Sequence, residues 1–593
     1  MTEPARATAI DRWTQPRRFA PCLIALAALI SWIAADRAMP IPDEGALLTA
    51  AVKLLHGGVF YRDVDAYAFP GMAWLLAGAM GLFGEHVAVA RALAGVVFCA
   101  TVAGVHACAL ALMDARRAAL CGLSMVALKF LAFPIYTMFF YADAAVASAL
   151  LALALFLHRA GAGSALPLVG VGMLTGLSVL TKQSTGVGVA IVFAVVLAFP
   201  AFAHAPPAPI PRRRRLAAYA AGLGAVLGAM ALAFALQGLL PEMWRGGLLR
   251  PFTGYLPTSG VSPLPPLAWW RFGTLESAGP LYLPQLGFEL VLHWTRGDPG
   301  IRDLLFVPFE LVARLMYTAI PIVFGACAWL WARGFLERRG GDGASGDGAA
   351  QRERGQGSFF TAAGVALAIS VSALPRADFV HVATIYPAVV LLLFAVGPRE
   401  GLGRGSVDVG VAGRPSALRS RVEAGVVLLL VASSLALAAR YDALLSHRLE
   451  TPRASLWVKP QHAWLGDLVD YVQANVPRGE PLFVYGHEAH WYFLTDRYTR
   501  RSFSQLYPGM TGDETGEAIV DGLRREQPRI VLQGVLRWPG MPDVTRYTPA
   551  VARLLQERYA PVADALPRPP RPAMLRIWRT RDAGGGTAVP PKG

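Results

Sequence analysis

Long apolar runs recur along most of this chain and alternate with short polar segments. A run of roughly 17 to 25 apolar residues is long enough to cross the bilayer core as a helix. The pattern predicts about eleven such spans, at residues 20–38, 88–112, 117–135, 142–158, 164–181, 184–201, 216–240, 307–333, 358–374, 380–397 and 423–440. The stretch 70–84 is also apolar, but it is short and glycine-rich, so we expect it at the membrane interface.

Arginine-rich loops give the predicted spans an orientation, because basic loops are retained on the cytoplasmic side. These loops fall on one side if residues 70–84 do not cross: they are 114–117, 158–159, 211–215, 337–354 and 399–421. The N-terminal residues 1–19 are then cytoplasmic. The outer face receives residues 39–86, 136–141, 182–183, 241–306, 375–379 and everything after 440. The basic, apolar start could also be a signal peptide, but its length favours an uncleaved first helix.

The region after residue 440 has a different pattern from the rest of the chain. Amphipathic helical stretches, "AWLGDLVDYVQANV" and "TGEAIVDGLRREQ", alternate with the strand-like runs "PLFVYG" and "RIVLQGV". We therefore predict a transmembrane domain over 20–440 and a small soluble α/β domain over 441–593. Residues 340–350 are rich in Gly, Asp and Ala, which predicts a flexible cytoplasmic linker.

Composition agrees with a polytopic membrane protein. Of 593 residues, 54% are hydrophobic and only 16% charged, which is too apolar for an ordinary soluble enzyme. The net charge of +15 comes almost entirely from arginine and is accounted for by the basic loops. No basic stripe is interleaved with aromatic residues, so nucleic acid is not an expected partner. The five cysteines lie in apolar runs without metal-ligand spacing, which indicates neither disulfides nor a metal site.

Ionisable residues collect on the predicted outer face. Asp43 and Glu44 follow the first span, Asp143 begins the fourth, and Lys182 joins the fifth to the sixth. Arg376, Asp378 and His381 join the ninth to the tenth. Charged groups at the bilayer boundary are costly unless paired or hydrated, so this set indicates a functional site.

Each of these residues also has a simpler explanation. Asp43 could cap the helix that follows it, Lys182 could be an interfacial lysine that extends toward water, and His381 could be a histidine with ordinary hydrogen-bond partners. Asp143 is harder to explain in this way, because an uncompensated carboxylate inside an apolar run is expensive. The segment "GHEAHWYFLTDR" at 486–497 could hold a metal, but its spacing fits no standard zinc signature, and aromatic packing is favoured.

The chemistry that suits such a set is attack by a hydroxyl group on an activated sugar. A carboxylate, Asp43, accepts the proton, while Lys182, Arg376 and His381 stabilise a phosphate leaving group. A site at the membrane surface fits a leaving group whose lipid tail stays in the bilayer.

Several short motifs, taken in order, resemble a known family: "PDEG", "LLHGGVFYRDVDAYAFPG", "LFGEHVAVAR", the lone Asp143, "LTKQSTG" and "RADFVHVATIYP". They resemble bacterial relatives of protein O-mannosyltransferases and lipid A aminoarabinose transferases, over most of residues 20–400. These are polyprenyl-phosphate-sugar-dependent glycosyltransferases of the GT-C fold.

The resemblance implies an enzyme, usually inverting, whose first outer acidic pair holds the catalytic aspartate. That aspartate matches Asp43, with Glu44 beside it and Asp143 as the second outer acid. Arg62 and Asp63 are further predicted substrate-binding residues. The resemblance also implies interfacial helices over 44–57 and 70–84. No cofactor is expected besides the polyprenyl-phosphate sugar co-substrate, and metal dependence stays open, as does the acceptor: lipid A or core, polysaccharide or protein. The expected location is the bacterial inner membrane.

Two other classes of function compete. A multi-span transporter or flippase also carries intramembrane charges, although such carriers tend to show internal repeats. A non-catalytic envelope scaffold is the second alternative, and it should tolerate loss of the Asp43 carboxylate.

Overall fold

The chain is an α-helical polytopic membrane protein with a small C-terminal α/β domain. The computed structural model describes residues 16–159, 163–200, 210–258, 260–278, 281–295, 299–339, 347–396, 417–499, 503–508, 516–535, 542–562, 565–567 and 574–581. The helices before the C-terminal domain are α1 (Pro16–Ala34), α2 (Pro42–Leu55), α3 (Gly71–Phe83), α4 (Val87–Leu112), α5 (Ala115–Leu131), α6 (Tyr141–Arg159), α7 (Leu166–Thr181), α8 (Gln183–Ala198), α9 (Arg212–Leu236), α10 (Gln285–Thr295), α11 (Pro299–Arg339), α12 (Asp347–Val371), α13 (Phe379–Val396) and α14 (Ala417–Asp442).

A helix occupies each of the eleven positions at which the sequence predicts a span. In the described part of the chain, six helices are long and apolar enough to cross a membrane, and these lie in α4, α6, α9, α11, α13 and α14. The helices at the other five positions are shorter or less apolar. The stretch 70–84 forms α3, a helix of 13 residues, which fits the interfacial placement predicted for it.

Two predicted boundaries differ from the structure. Helix α12 already begins at Asp347, so the end of the predicted linker 340–350 is helical, and residues 340–346 lie outside the described residues. Helix α11 begins at Pro299, inside the predicted outer loop 241–306, because amphipathic residues extend the helix beyond its apolar window. The rest of that loop contains short helical turns and α10.

Close packing between helices depends on small residues where two backbones cross. A Cβ atom at Gly172 of α7 would lie 2.1 Å from the carbonyl oxygen of Tyr219 in α9. In the opposite direction, a Cβ atom at Gly222 of α9 would lie 2.0 Å from the carbonyl oxygen of Val169. Only glycine at both positions allows this crossing, a common arrangement between helices in membranes.

The C-terminal region contains the predicted mixture of helices and strands. Its main elements are β1 (His447–Thr451), β2 (Ala454–Val458), α15 (Trp464–Asn475), β3 (Phe483–Tyr485), α16 (His490–Thr495), α17 (Glu517–Glu526), β4 (Ile530–Gly534), α18 (Pro549–Arg558), β5 (Tyr559–Pro561) and β6 (Leu575–Thr580). Strands β1 and β2 form an antiparallel hairpin, and the other four form a mixed sheet in the order β3-β4-β6-β5. Only β3 and β4 are parallel. The limits proposed for the two domains stay predictions.

The C-terminal domain rests directly on helix α2 and on the end of α1. The Thr49 hydroxyl of α2 donates to the carbonyl of Ala489 at 3.1 Å, and the amide of Ala38 donates to the carbonyl of Trp457 at 3.0 Å. At Gly45 the backbones of α2 and α16 are so close that a Cβ atom would lie 2.3 Å from the amide nitrogen of His490. The helix that carries Asp43 is therefore packed between the rest of the membrane domain and the C-terminal domain.

Candidate active site

The first turn of α2 presents two adjacent acids in different surroundings. Pro42 occupies the first helical position, and Asp43 and Glu44 follow in the same turn, where the helix dipole favours negative charge. The N-cap residue is Ile41, so Asp43 does not cap this helix. Because successive residues of a helix point about 100° apart, the two side chains leave α2 in different directions.

Glu44 is fully buried and paired. Its two carboxylate oxygens accept hydrogen bonds from the Arg91 guanidinium at 2.6 and 2.7 Å, and one of them also accepts the amide of Phe139 at 3.0 Å. Neither side chain of this ion pair has measurable exposure. The pair joins α2 to α4 and to the segment before α6. This arrangement indicates a structural role for Glu44.

Asp43 instead lies near a group of ionisable residues at the start of α13 and in the segment just before it. Its carboxylate is partly buried, and the charged groups that act on it are His381, Arg376 and Asp378. Burial raises the pKa of Asp43 above its usual value, while the positive charges of His381 and Arg376 oppose that rise. Tertiary folding thus brings Asp43 close to residues more than 300 positions later in the chain.

Asp378 organises the two basic residues of this group. Its carboxylate accepts a hydrogen bond from Arg376 Nε at 2.9 Å and pairs with His381 Nδ1 at 2.6 Å. It also accepts the backbone amide of His381 at 3.1 Å, as a capping residue does at a helix start. Burial opposes ionisation of Asp378, but His381 and Arg376 outweigh it and lower its pKa to about 2. Asp378 is therefore a permanent anion that holds both basic side chains in place.

The segment before α11 fixes the backbone around Arg376 by hydrogen bonds. The amide of Val261 donates to the carbonyl of Pro375 at 2.8 Å, and the amide of Ala377 donates back to Val261 at 3.0 Å. The Tyr317 hydroxyl of α11 donates to the carbonyl of Ala377 at 2.7 Å. Arg376 thus lies in a short extended segment that is held by backbone hydrogen bonds on both sides of the residue.

Two tyrosines complete the surroundings of Asp43. The hydroxyl groups of Tyr67 and Tyr141 are 3.1 Å apart, within hydrogen-bond distance. Tyr67 also lies close enough to Asp43 and Arg376 to interact with their charges. Gln183 fixes the loop around Tyr67 by donating to its carbonyl at 2.6 Å. Sequence analysis did not identify either tyrosine, although Tyr67 lies inside the "DAYAFPG" motif and Tyr141 lies two residues before Asp143.

Lys182 and Asp143 lie close to each other and beside this group, since the charges of both Asp143 and Asp378 act on Lys182. Lys182 Nζ donates to the carbonyl of Ser372 at 3.1 Å and lies 5.9 Å from the centroid of the Tyr141 ring. Asp143 is only 7% exposed, and the positive charges that act on it are Lys129 and Lys182. The sequence analysis did not identify Lys129. Like Lys182, it is a rare lysine in an apolar segment, and this feature could have revealed it.

Arg62 and Asp63, two further predicted substrate-binding residues, pair with each other. Arg62 Nη2 lies 2.8 Å from Asp63 Oδ2, and that oxygen also accepts the amide of Val59 at 2.7 Å. The charges that act on Asp63 are Arg62 and Lys53, not the residues around Asp43. Their role in substrate binding stays a prediction.

The segment 486–497 packs as an aromatic helix in the C-terminal domain. Trp491, Tyr492 and Phe493 of α16 are all nearly inaccessible to solvent. Within the described ranges, no group of three or more His, Cys, Asp or Glu side chains is placed to hold a metal ion. The favoured explanation of this segment, aromatic packing, agrees with its structure.

Comparison with known proteins gives similarities of fold. No protein-family model matches the sequence, and no curated protein matches it. Among solved structures, the oligosaccharyltransferase of Archaeoglobus fulgidus is 15% identical, with a TM-score of 0.49 over 88% of this chain and 70% of that one. ArnT from Cupriavidus metallidurans, bound to undecaprenyl phosphate, is 14% identical, with a TM-score of 0.45 over 96% of this chain and 99% of that one.

A third similar structure is the arabinofuranosyltransferase AftD from Mycobacteria, 13% identical, with a TM-score of 0.41 over 95% of this chain and 40% of that one. All three are GT-C glycosyltransferases, the class that the sequence motifs resemble. The TM-scores are below 0.5, so these similarities assign no residue and no substrate.

Proposed function

We propose that this protein is a membrane glycosyltransferase that moves a sugar from a polyprenyl-phosphate donor to an acceptor of the cell envelope. The observation that carries the proposal is the partly buried carboxylate of Asp43 beside the cation Arg376 and the basic side chain of His381. The order of the sequence motifs supports the same class of enzyme.

In the proposed reaction, Asp43 accepts the proton of an acceptor hydroxyl as its oxygen attacks the anomeric carbon of the donor. The bond between that carbon and the phosphate oxygen breaks, and polyprenyl phosphate leaves. Attack from the face opposite the phosphate would invert the anomeric configuration. The proton on Asp43 then passes to water, which restores the carboxylate for the next turnover.

The cations stabilise the negative charge that develops on the leaving phosphate. Arg376 and His381 are held by Asp378, so they are positioned before the donor arrives and need little reorganisation. Lys182 retains donors beyond its bond to Ser372, because an ammonium group has three. We assign Lys182 to the phosphate as well, and Asp143 to positioning Lys182.

The proposal places the reaction on the outer face of the bacterial inner membrane, with the N-terminus cytoplasmic and the C-terminal domain outside. A lipid-linked donor suits that location, because its tail stays in the bilayer while a polar acceptor approaches from water. Glu44 was predicted to be catalytic beside Asp43, but its bonds to Arg91 and Phe139 favour a structural role.

The test is sugar transfer from radiolabelled polyprenyl-phosphate sugars into envelope material by the purified full chain in proteoliposomes. We expect Asp43→Asn to lower the transfer rate by about 10²- to 10⁴-fold, the usual contribution of a general base. The amide keeps the shape of the carboxylate, so the thermal melting temperature should not fall.

Asp470→Asn is the matched control, because Asp470 is an exposed acid of α15 in the C-terminal domain. It should transfer label at the wild-type rate. Equal transfer by Asp43→Asn and wild type would remove Asp43 from the chemistry. No transfer by wild type from any lipid-linked donor would favour the alternative, a transporter or flippase.

A further inference from the structure

A partly open cavity lies between the membrane domain and the C-terminal domain, beside the start of α2. Its volume is about 230 Å³. Its membrane-domain wall is formed by the segment before α2, by α10 and by the end of α14. Its other wall is formed by residues around the starts of α15 and α16.

Polar atoms without partners face this space. Trp464 and His490 line the cavity and are only 5% and 2% exposed, yet Trp464 Nε1 and His490 Nδ1 have no hydrogen-bond partner among the described residues. The half-buried His462 lines it too, and its Nδ1 is likewise unpartnered there. Glu488 lines the cavity as well, and its Oε2 is also without a partner among the described residues. A buried polar atom without a partner is costly, so four such residues around one cavity indicate that a ligand supplies the missing bonds.

The cavity carries no net charge suited to a phosphate. Burial lowers the pKa of His490 to about 3, and burial together with the charge of Lys459 lowers that of His462 to about 4, so both rings are neutral at pH 7. Among the described residues of the wall, the cation Lys459 is ion-paired with Glu289, which also accepts Gln285 Nε2 at 3.1 Å. The wall also contains Glu488, and burial raises the pKa of its carboxyl group to about 7. A neutral, polar ligand fits this balance better than an anion.

The unpartnered atoms and the aromatic walls together define the ligand class. Trp Nε1 can only donate, whereas a neutral histidine offers one donor and one acceptor, so a hydroxyl group can satisfy either. The rings of Tyr441, Trp464 and Trp491 supply flat apolar surface around those polar atoms. The volume equals about eight waters at roughly 30 Å³ each, which suits one sugar ring and is small for a drug-sized ligand.

We propose that this cavity binds one uncharged sugar unit, which belongs to a carbohydrate acceptor. The second part of this statement rests on the proposed function. Ile41 and Pro42 form part of the cavity wall and directly precede Asp43, so a glycan held here is anchored next to the general base. The donor is excluded from this position by its phosphate and its lipid tail.

Binding is measured first and without any transfer reaction, by calorimetry on the full chain in nanodiscs. The probes are free neutral hexoses, pentoses and N-acetylhexosamines, with glucose 1-phosphate as the charged counterpart. We expect at least one neutral sugar to bind and glucose 1-phosphate to bind more weakly. Trp464→Phe keeps the ring but loses the donor, and it should weaken binding by about two- to tenfold, as loss of one neutral hydrogen bond does.

Two further variants separate binding from folding. His462→Leu removes a ring nitrogen from a half-buried position that tolerates substitution better, and it should weaken the same sugar. Trp457→Phe makes the same chemical change in the same domain, but Trp457 lies against Arg37 and Arg448 rather than the cavity. It should bind like wild type.

The proposal is overturned if no neutral sugar binds wild type, if both cavity variants bind like wild type, or if only a divalent metal ion binds. Transfer then tests the acceptor assignment: Trp464→Phe should raise KM for the acceptor and leave kcat unchanged, and the free sugar should compete with the acceptor. Sugar binding without any transfer would keep the cavity site while rejecting the proposed function.

Discussion

The two adjacent acids in the first turn of α2 lie on different faces of the helix and have different surroundings. On one face, Glu44 has a bidentate ion pair with Arg91, an amide donor and no exposure. On the other face, Asp43 is partly buried beside cations that are already held by Asp378. A carboxylate whose bonds are all satisfied stabilises the fold, whereas one with spare capacity and a raised pKa can accept a proton.

The structural face should give the largest effect on folding. Glu44→Gln leaves the Arg91 guanidinium buried without a counter-charge, and we expect a loss of about 3–5 kcal/mol in the free energy of unfolding. Denaturation in detergent, followed by circular dichroism, measures it. The double variant Glu44→Leu/Arg91→Leu removes both charges and should recover most of that loss. If Glu44→Gln melted like wild type, the ion pair would have no structural importance.

The cationic side of the catalytic face comes next. Lys182→Gln removes a positive charge that we assign to the leaving phosphate, and kcat for transfer should fall by about 10²-fold, as for other groups that stabilise a developing anion. Lys182→Arg should restore part of the rate, because it keeps the charge. A change in stability with normal kcat would make Lys182 a purely structural lysine.

The pH dependence of transfer separates the charges around Asp43. Asp43 acts as a base only when ionised, so kcat/KM should rise with pH through its raised pKa. Arg376 lowers that pKa, so Arg376→Gln should move the acid limb of the profile to higher pH, by about one unit or more.

Asp378 raises the pKa of Asp43, so Asp378→Asn should move the same limb to lower pH. Asp378 also contributes to stability: its pKa is lowered to about 2, so its contribution is present above the usual carboxyl range and is lost as the pH falls toward 2. If the acid limb moved in the same direction in Arg376→Gln and in Asp378→Asn, this arrangement of charges would be contradicted.

The smallest effect is expected at the exposed pair outside the charged group. Arg62 bonds to its neighbour Asp63 and is largely solvated, so Arg62→Ala should leave the melting temperature unchanged and should change kcat/KM by no more than about twofold. Kinetics with varied donor measure it. A large rise in KM for the donor would confirm the substrate-binding role predicted for Arg62 and enlarge the site.

The sequence by itself determined the architecture. Apolar runs of span length located a helix at each of eleven positions, and amphipathic helical stretches alternating with strand-like runs indicated the C-terminal α/β domain, because both signals are local. Boundaries were less certain: helix α11 begins eight residues before its predicted span, since helices continue past their apolar windows.

Only the tertiary structure decided how the outer-face residues divide. The sequence identified Asp43, Lys182, Arg376 and His381, predicted them on one surface and named Asp43 as the base. It also counted Glu44 as catalytic, because it did not show that the two acids have different surroundings. The rotation of α2 makes that distinction, and the rotation is set by packing against α4 and the C-terminal domain. The cavity between the two domains was equally hidden, because its walls come from segments more than four hundred residues apart that only the fold brings together.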